Sequence, residues 1–367
     1  MPPLLTETPD GLFCPIGNFH IDAWRSVECD VVTHAHSDHL RWGMRRYLCS
    51  KESEPITRER LNAEATIDTL EYGETIDING VKLSLHPAGH VRGSAQVRLE
   101  HAGQVCVVTG DYKREDDSTC TGFELVRCHE FITESTFGLP IYRWKPQETI
   151  AADINAWWLG NIAHGRTSVI LGYTLGKSQR ILSMLEPSIG PILLHGSMTR
   201  MTDRYREAGV ELPPAQHATV ETAKLHKGKA IVIAPPSAHG STWMRKFIPV
   251  SVASASGWMT VRGQRRRRAV DRGFILSDHV DWPGLLRTIQ ETGATRIGVT
   301  HGYTSVVSRY LKERGFDAYT IATKWVGEGE EESVGATLAS RAEANTPDES
   351  DSTAAGDASV APTTDTP

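Results

Sequence analysis

Directly after the apolar run Cys29-Asp30-Val31-Val32, the chain reads Thr33-His34-Ala35-His36-Ser37-Asp38-His39. In extended backbone alternate side chains point the same way, so His34 and His36 can reach one metal ion. Asp38 and His39 come where the chain is expected to turn into a helix, and can face a second ion close by. Further ligand types close apolar runs elsewhere: His90 in HPAGHVRGS, Asp111 in VCVVTGD and His301 in IGVTHGY. A carboxylate such as Asp111 can bridge two ions. Taken singly, each of these reads as a capping or surface residue. Alongside the His34–His39 group they read as one site, because ligands at the ends of separate strands converge on one sheet edge.

The elements that must position these residues are visible as short apolar runs that stop in polar, histidine- or glycine-bearing turns. They are CDVVTHAH (29–36), VCVVTGD (105–111), FITEST (131–136), SVILGYT (168–174), AIVIAPP (230–236), FILSDH (274–279) and IGVTHGY (297–303). Such runs read as buried strands. Helical stretches lie between them, around residues 154–165, 177–186 and 282–293. Strands alternating with helices indicate an α/β protein.

The 367 residues give room for one large domain or two ordinary ones, and 39% hydrophobic with 23% charged residues is ordinary for a soluble globular chain. The formal charge of −6 argues at first against a polyanionic partner. It is unevenly spread. Residues 328–367 hold ten acids and one base, leaving +3 on residues 1–327. That acidic tail has no aromatics and is expected to be disordered. The six cysteines show no C-x-x-C spacing, so a zinc ribbon or thioredoxin-type pair is not indicated. With no leader-like N-terminus and no apolar stretch of about 18 residues, a cytoplasmic protein with reduced thiols and no membrane partner is expected.

The ordered pattern H-x-H-x-D-H, then His, Asp and a C-terminal His, resembles the metallo-β-lactamase superfamily. The resemblance implies that His34, His36 and His90 hold one zinc, and Asp38, His39 and His301 the other, with Asp111 between them. Asp22 in FHIDAW would support the ligand shell. Glu134 in ITESTFG, His279 in LSDHVDW and His301 in VTHGY resemble motifs A, B and C of the β-CASP nucleases. The implied fold is α/β, a metallo-β-lactamase αββα sandwich with an inserted β-CASP α/β domain. Its parts would be residues 1–137 and 273–327, with the insertion at 138–272. TPDGLFCPIGNFHIDAWR and ITESTFGLPIYRW most resemble the bacterial ligase-associated DNA exonucleases. Those proteins are encoded beside an ATP-dependent DNA ligase and a DEXH-box helicase, which implies a repair role. A His at motif C is also typical of RNA-processing members, so RNA is the alternative substrate.

The implied chemistry is phosphodiester hydrolysis by a two-metal hydroxide mechanism. Two zinc ions sharing a water would lower its pKa towards about 7. Manganese is the alternative metal. His279 is the candidate general acid for the leaving 3′-oxygen, Glu134 its orienting partner, and Asp38 joins them among the catalytic residues. Arg262 and the run Arg265-Arg266-Arg267-Arg268, with Arg272 nearby, are the densest positive patch and the candidate nucleic-acid contact, set against a solvated loop. Gly172 to Ser178 (GYTLGKS) has three residues between its glycines where a Walker A motif needs four. It is read as a strand–helix turn, with Lys177 kept as a phosphate contact. A small-molecule metallo-hydrolase shares the histidine core but not Glu134, His279 or the long insertion.

Overall fold

The computed structural model describes residues 3–61 and 64–323. The expected tail at 328–367 lies outside the described residues. The first sheet runs in chain order through β1 (Thr6–Thr8), β2 (Gly11–Cys14), β3 (Phe19–Ile21), β4 (Cys29–Val31), β5 (Arg46–Ser50) and β6 (Ile67–Leu70). It is antiparallel as far as β3 and parallel from there on. Helix α1 (Glu54–Arg60) joins β5 to β6.

A second sheet begins with β7 (Thr75–Ile78), β8 (Val81–Pro87), β9 (Ala95–His101), β10 (Gln104–Val108) and β11 (Glu130–Ser135). The chain then leaves it to build a third sheet, returning as β18 (Arg296–Gly302) and β19 (Asp317–Thr320). In the second sheet β18 pairs directly with β11, in parallel, despite the long excursion between them. Alternation along the strands explains the layering. Cys106, Val108 and Ile132 face Phe19, Val31 and Leu48 of the first sheet. Their neighbours Val107 and Phe131 face the other way, onto Leu285, Ile289, Val307 and Leu311. These four belong to α7 (Trp282–Thr292) and α8 (Thr304–Lys312).

The excursion contains β12 (Thr167–Leu171), β13 (Ile192–Leu194), β14 (Gln216–His217), β15 (Ile231–Ala234), β16 (Val250–Ala255) and β17 (Arg272–Phe274), all parallel. Both faces are covered, which is why these strands read as unbroken apolar runs. Ile170 and Ile233 pack on α2 (Gln147–Ala163) and α3 (Lys177–Ser183). Val169 and Val232 pack on the opposite side with Phe247 and Ala223 of α5 (Val220–Leu225). Between α3 and α5 lies α4 (Gly196–Glu207), whose Met201 and Tyr205, with Leu175, cover Val32 and Cys49 of the first sheet. The third sheet is therefore docked against the sandwich.

Two local expectations differ from the structure. The segment 34–40 forms a hydrogen-bonded turn, Leu40 N–H donating to His36 O at 2.8 Å, and no helix follows. Gly43, at φ +90°, redirects the chain into β5. FILSDH is a strand only through Phe274, because beyond it side chains take up the backbone groups. Arg180 Nη1 donates to Ser277 O at 2.5 Å, and His279 N–H donates to Ser277 Oγ at 3.1 Å. Among the described residues, no helix is long and apolar enough to cross a membrane.

Candidate metal centre

The loops after β4, β8 and β10 and the end of β18 meet beside the docked third sheet. His34 Nε2 and His90 Nε2 each lie 3.0 Å from His36 Nδ1. Asp111 Oδ2 stands 3.6 Å from His34 Nε2, 3.8 Å from His90 Nε2 and 3.5 Å from His39 Nε2. Asp38 Oδ2 is 3.6 Å from His39 Nε2, and the His39 and His301 rings are 5.1 Å apart. The structure thus brings His34, His36, His90 and Asp111 into one group, with Asp38 and His39 grouped beside His34, and His301 beside His39 and Asp111.

The outward nitrogens are held by acceptors. His90 Nδ1–H donates to Asp278 O at 2.7 Å, and His36 Nε2–H to Leu175 O at 3.2 Å. His39 Nδ1 is 2.7 Å from Asp22 Oδ2, whose carboxylate also accepts from Thr33 N–H at 2.8 Å and Thr33 Oγ1–H at 2.7 Å. Asp22 sits behind His39, at φ +49°. Contacts of this kind fix which nitrogen is presented inward. His301 is likewise at φ +52°, followed by Gly302 at +71°, so the end of β18 turns sharply to bring the ring in.

Burial and the neighbouring rings push His34 and His90 well below the ordinary histidine range, and burial takes His36 down to about 4. Neutral imidazoles are what a metal ion needs. His39 behaves oppositely. Although burial opposes it, Asp38, Asp111 and Asp22 hold its pKa well above the usual value. Asp38 Oδ1 and His39 Nε2 are buried without a hydrogen-bond partner among the described residues. Buried polar atoms left in that state are costly. A divalent ion would satisfy both, so this His/Asp set fits a metal.

Beside the cluster, His279 Nδ1 lies 2.9 and 3.0 Å from the two Glu134 carboxylate oxygens and 3.9 Å from Asp111 Oδ2. Glu134 is fully buried, and its Oε1 accepts from Tyr112 N–H at 2.9 Å. Trp144 Nε1–H donates to His279 O at 2.8 Å, and the Phe137 ring lies 5.8 Å from the imidazole.

No family model matches the chain. A protein named probable DNA ligase from Opitutus terrae is 33% identical over 313 residues, covering 85% of this chain and 30% of that protein. Endoribonuclease YSH1 of Eremothecium gossypii is 32% identical over 122 residues, 33% of this chain and 16% of its own length. The cleavage and polyadenylation specificity factor 73 of Drosophila melanogaster is 29% identical over 190 residues, 47% of this chain and 27% of its own. The chain spans less than a third of each of these relatives. A crystal structure of a protein of unknown function from Enterococcus faecalis matches its fold, with a TM-score of 0.54 at 13% identity, over 82% of this chain and 80% of that one. This chain has the metallo-β-lactamase fold with a β-CASP insertion.

The β-CASP unit touches the centre through residues that sequence reasoning missed. Asp278 Oδ1 accepts from Arg180 Nη1 at 2.9 Å, and its Oδ2 is 3.2 Å from Lys177 Nζ. Arg180 Nε is 3.3 Å from Asp117 Oδ2, which also receives Lys113 Nζ at 2.6 Å. Lys177 was expected at a phosphate; the structure places it 1% exposed, with its ammonium on Asp278. The cause is the short turn between β12 and α3, which points the first side chain of the helix into the interface. Asp278 adjoins His279 in LSDHVDW, and Lys113 follows Asp111 by two. That adjacency was the available signal.

The arginine run forms a short helix, α6 (Arg262–Arg267), rather than a loop. It packs beside the turn Gly257–Thr260 of the β-CASP unit. Arg262, Arg266 and Arg272 are exposed, whereas Arg268 is half-buried with Nη1 3.4 Å from Ser254 Oγ. The side chains of Arg265 and Arg267 lie outside the described set.

Proposed function

We propose that this chain is a metal-dependent DNA nuclease, an exonuclease acting in repair alongside an ATP-dependent DNA ligase and a DEXH-box helicase. The observation that carries the nuclease reading is the His279–Glu134 pair set 3.9 Å from Asp111 at a buried His/Asp cluster. His34, His36 and His90 would hold one ion and Asp38, His39 and His301 the other, with Asp111 shared. When bound, two divalent ions supply a nucleophile at neutral pH and positive charge for the phosphate oxygens. Zinc suits the nitrogen-rich set, and manganese is the alternative. His279 would donate the proton to the leaving 3′-oxygen, giving a 5′-phosphate and a 3′-hydroxyl. Glu134, on Nδ1, orients that ring. The DNA reading is supported by the match of 85% of this chain to a protein named for DNA ligation. There a homologous unit shares one polypeptide with the function the name gives.

A second reading, an RNA-processing nuclease, is favoured by the matches to endoribonucleases and by His301 at motif C. The test offers end-labelled DNA and RNA, single- and double-stranded, to the protein with zinc, manganese or EDTA, with Asp38→Ala as control. DNA digestion lost with EDTA and in the variant is the expected result. Cleavage of RNA alone would replace the first reading with the second.

A further inference from the structure

A five-member chain of buried charges runs Lys113–Asp117–Arg180–Asp278–Lys177, with no member more than 8% exposed. Its members come from three parts of the chain. Lys113 and Asp117 lie between β10 and β11, Lys177 and Arg180 on α3 of the β-CASP unit, and Asp278 on the segment leaving that unit. Burying five charges for stability alone is poor chemistry, because desolvation offsets most of the attraction. What this chain of charges does geometrically is to hold one peptide. Arg180 grips both the Asp278 carboxylate and the Ser277 carbonyl. The Asp278 carbonyl accepts from His90 Nδ1, and the next residue is His279. One backbone unit therefore fixes the tilt of a candidate ligand and the position of the candidate general acid.

We propose that Asp278 is a positioning residue, through which docking of the β-CASP unit sets the metal-binding geometry of His90. The inference rests on the metal-centre reading above and goes beyond it, since it makes the insertion part of the metal site. Outer contacts to metal-bound histidines are worth about 10–100-fold in metal affinity.

The test uses the whole chain and measures metal binding without any nucleic acid. Zinc affinity is read by competition with a chromogenic chelator, and ligand geometry by the visible absorption of the cobalt-loaded protein. Asp278→Asn keeps the size and the backbone carbonyl but removes the anchor for Lys177 and Arg180. We expect one zinc-binding step to weaken about 10–100-fold, with a changed cobalt spectrum. Val232→Ala, which loosens the face of the third sheet turned away from α3, is expected to keep wild-type affinity. If Asp278→Asn does not fold, Arg180→Lys decides instead: it retains the charge but loses the simultaneous hold on Asp117, Asp278 and the Ser277 carbonyl. Wild-type affinity in a folded Asp278→Asn, or equal weakening in Val232→Ala, would overturn the proposal and leave the metal centre standing. A wild-type protein that binds no zinc or cobalt would overturn both.

Discussion

His279 stands between two carboxylates, Glu134 at 2.9 Å and Asp111 at 3.9 Å. Removing the ring and removing its orienting acid are therefore separable experiments. His279→Ala is expected to lower turnover of a phosphodiester about 10²–10⁴-fold, the usual range for a general acid. Glu134→Gln should lower it in the same direction with metal content unchanged. Turnover near wild type in His279→Ala would remove the general-acid assignment. Lys177 makes a different prediction, because its ammonium is buried against Asp278. Lys177→Met should destabilise the fold by about 1–3 kcal/mol, because the buried Asp278 carboxylate loses one charged partner and keeps Arg180. Denaturant unfolding measures this. The salt dependence of DNA binding should not change, as it would if Lys177 met phosphate.

At the scale of elements, the end of β18 carries the tightest constraint. A Cβ on Gly302 would lie 2.5 Å from Ser135 O and from Thr136 Cα, at a φ of +71° that side chains rarely adopt. Gly302→Ala is expected to cost about 2 kcal/mol or more, and to displace His301. A melting temperature equal to wild type would contradict this. Ile170→Ala, in the middle of β12, should cost about 2–5 kcal/mol through the cavity it leaves. The same elements show what was legible beforehand. β12 and β15 were readable because parallel strands covered on both faces are apolar throughout. His34, His36 and His39 were readable because their spacing is local. FILSDH was misread past Phe274, since a strand's apolar run does not reveal that Arg180, far away in sequence, will take the Ser277 carbonyl. Lys177 was misjudged for the same reason: GYTLGKS describes a turn but not the Asp278 waiting across the interface. Charge pairs 98 residues apart, such as Arg180 and Asp278, leave no local pattern at all.

For the whole molecule, buried charges set the response to acid. Although burial opposes it, Lys177, Arg180 and Lys113 hold the Asp278 carboxyl well below its ordinary 3.8, and Lys113 and Arg180 lower Asp117 likewise. A carboxyl with a depressed folded pKa stabilises above its unfolded value and loses that contribution as pH falls through the folded one. The share that Asp278 and Asp117 supply should therefore fade once the pH drops below about 4, on top of the loss that the depressed His34, His36 and His90 begin below 6.5. Thermal melts from pH 7 to pH 3 check this, and a flat profile across that range would count against the charge chain. The parallel pairing of β11 with β18 has a consequence for how the molecule is made. Glu130 and Arg296, partners in that ladder, are 166 residues apart. Closing a flexible loop of that length costs about 4–5 kcal/mol of chain entropy, a cost that folding of the intervening unit would relieve. During synthesis β11 has no partner on that side until β18 has emerged, and an unpaired strand edge invites association with other chains. His301 arrives with that same strand. The growing polypeptide thus passes through a period in which it is most exposed to aggregation and still lacks one of the histidines that converge on its centre.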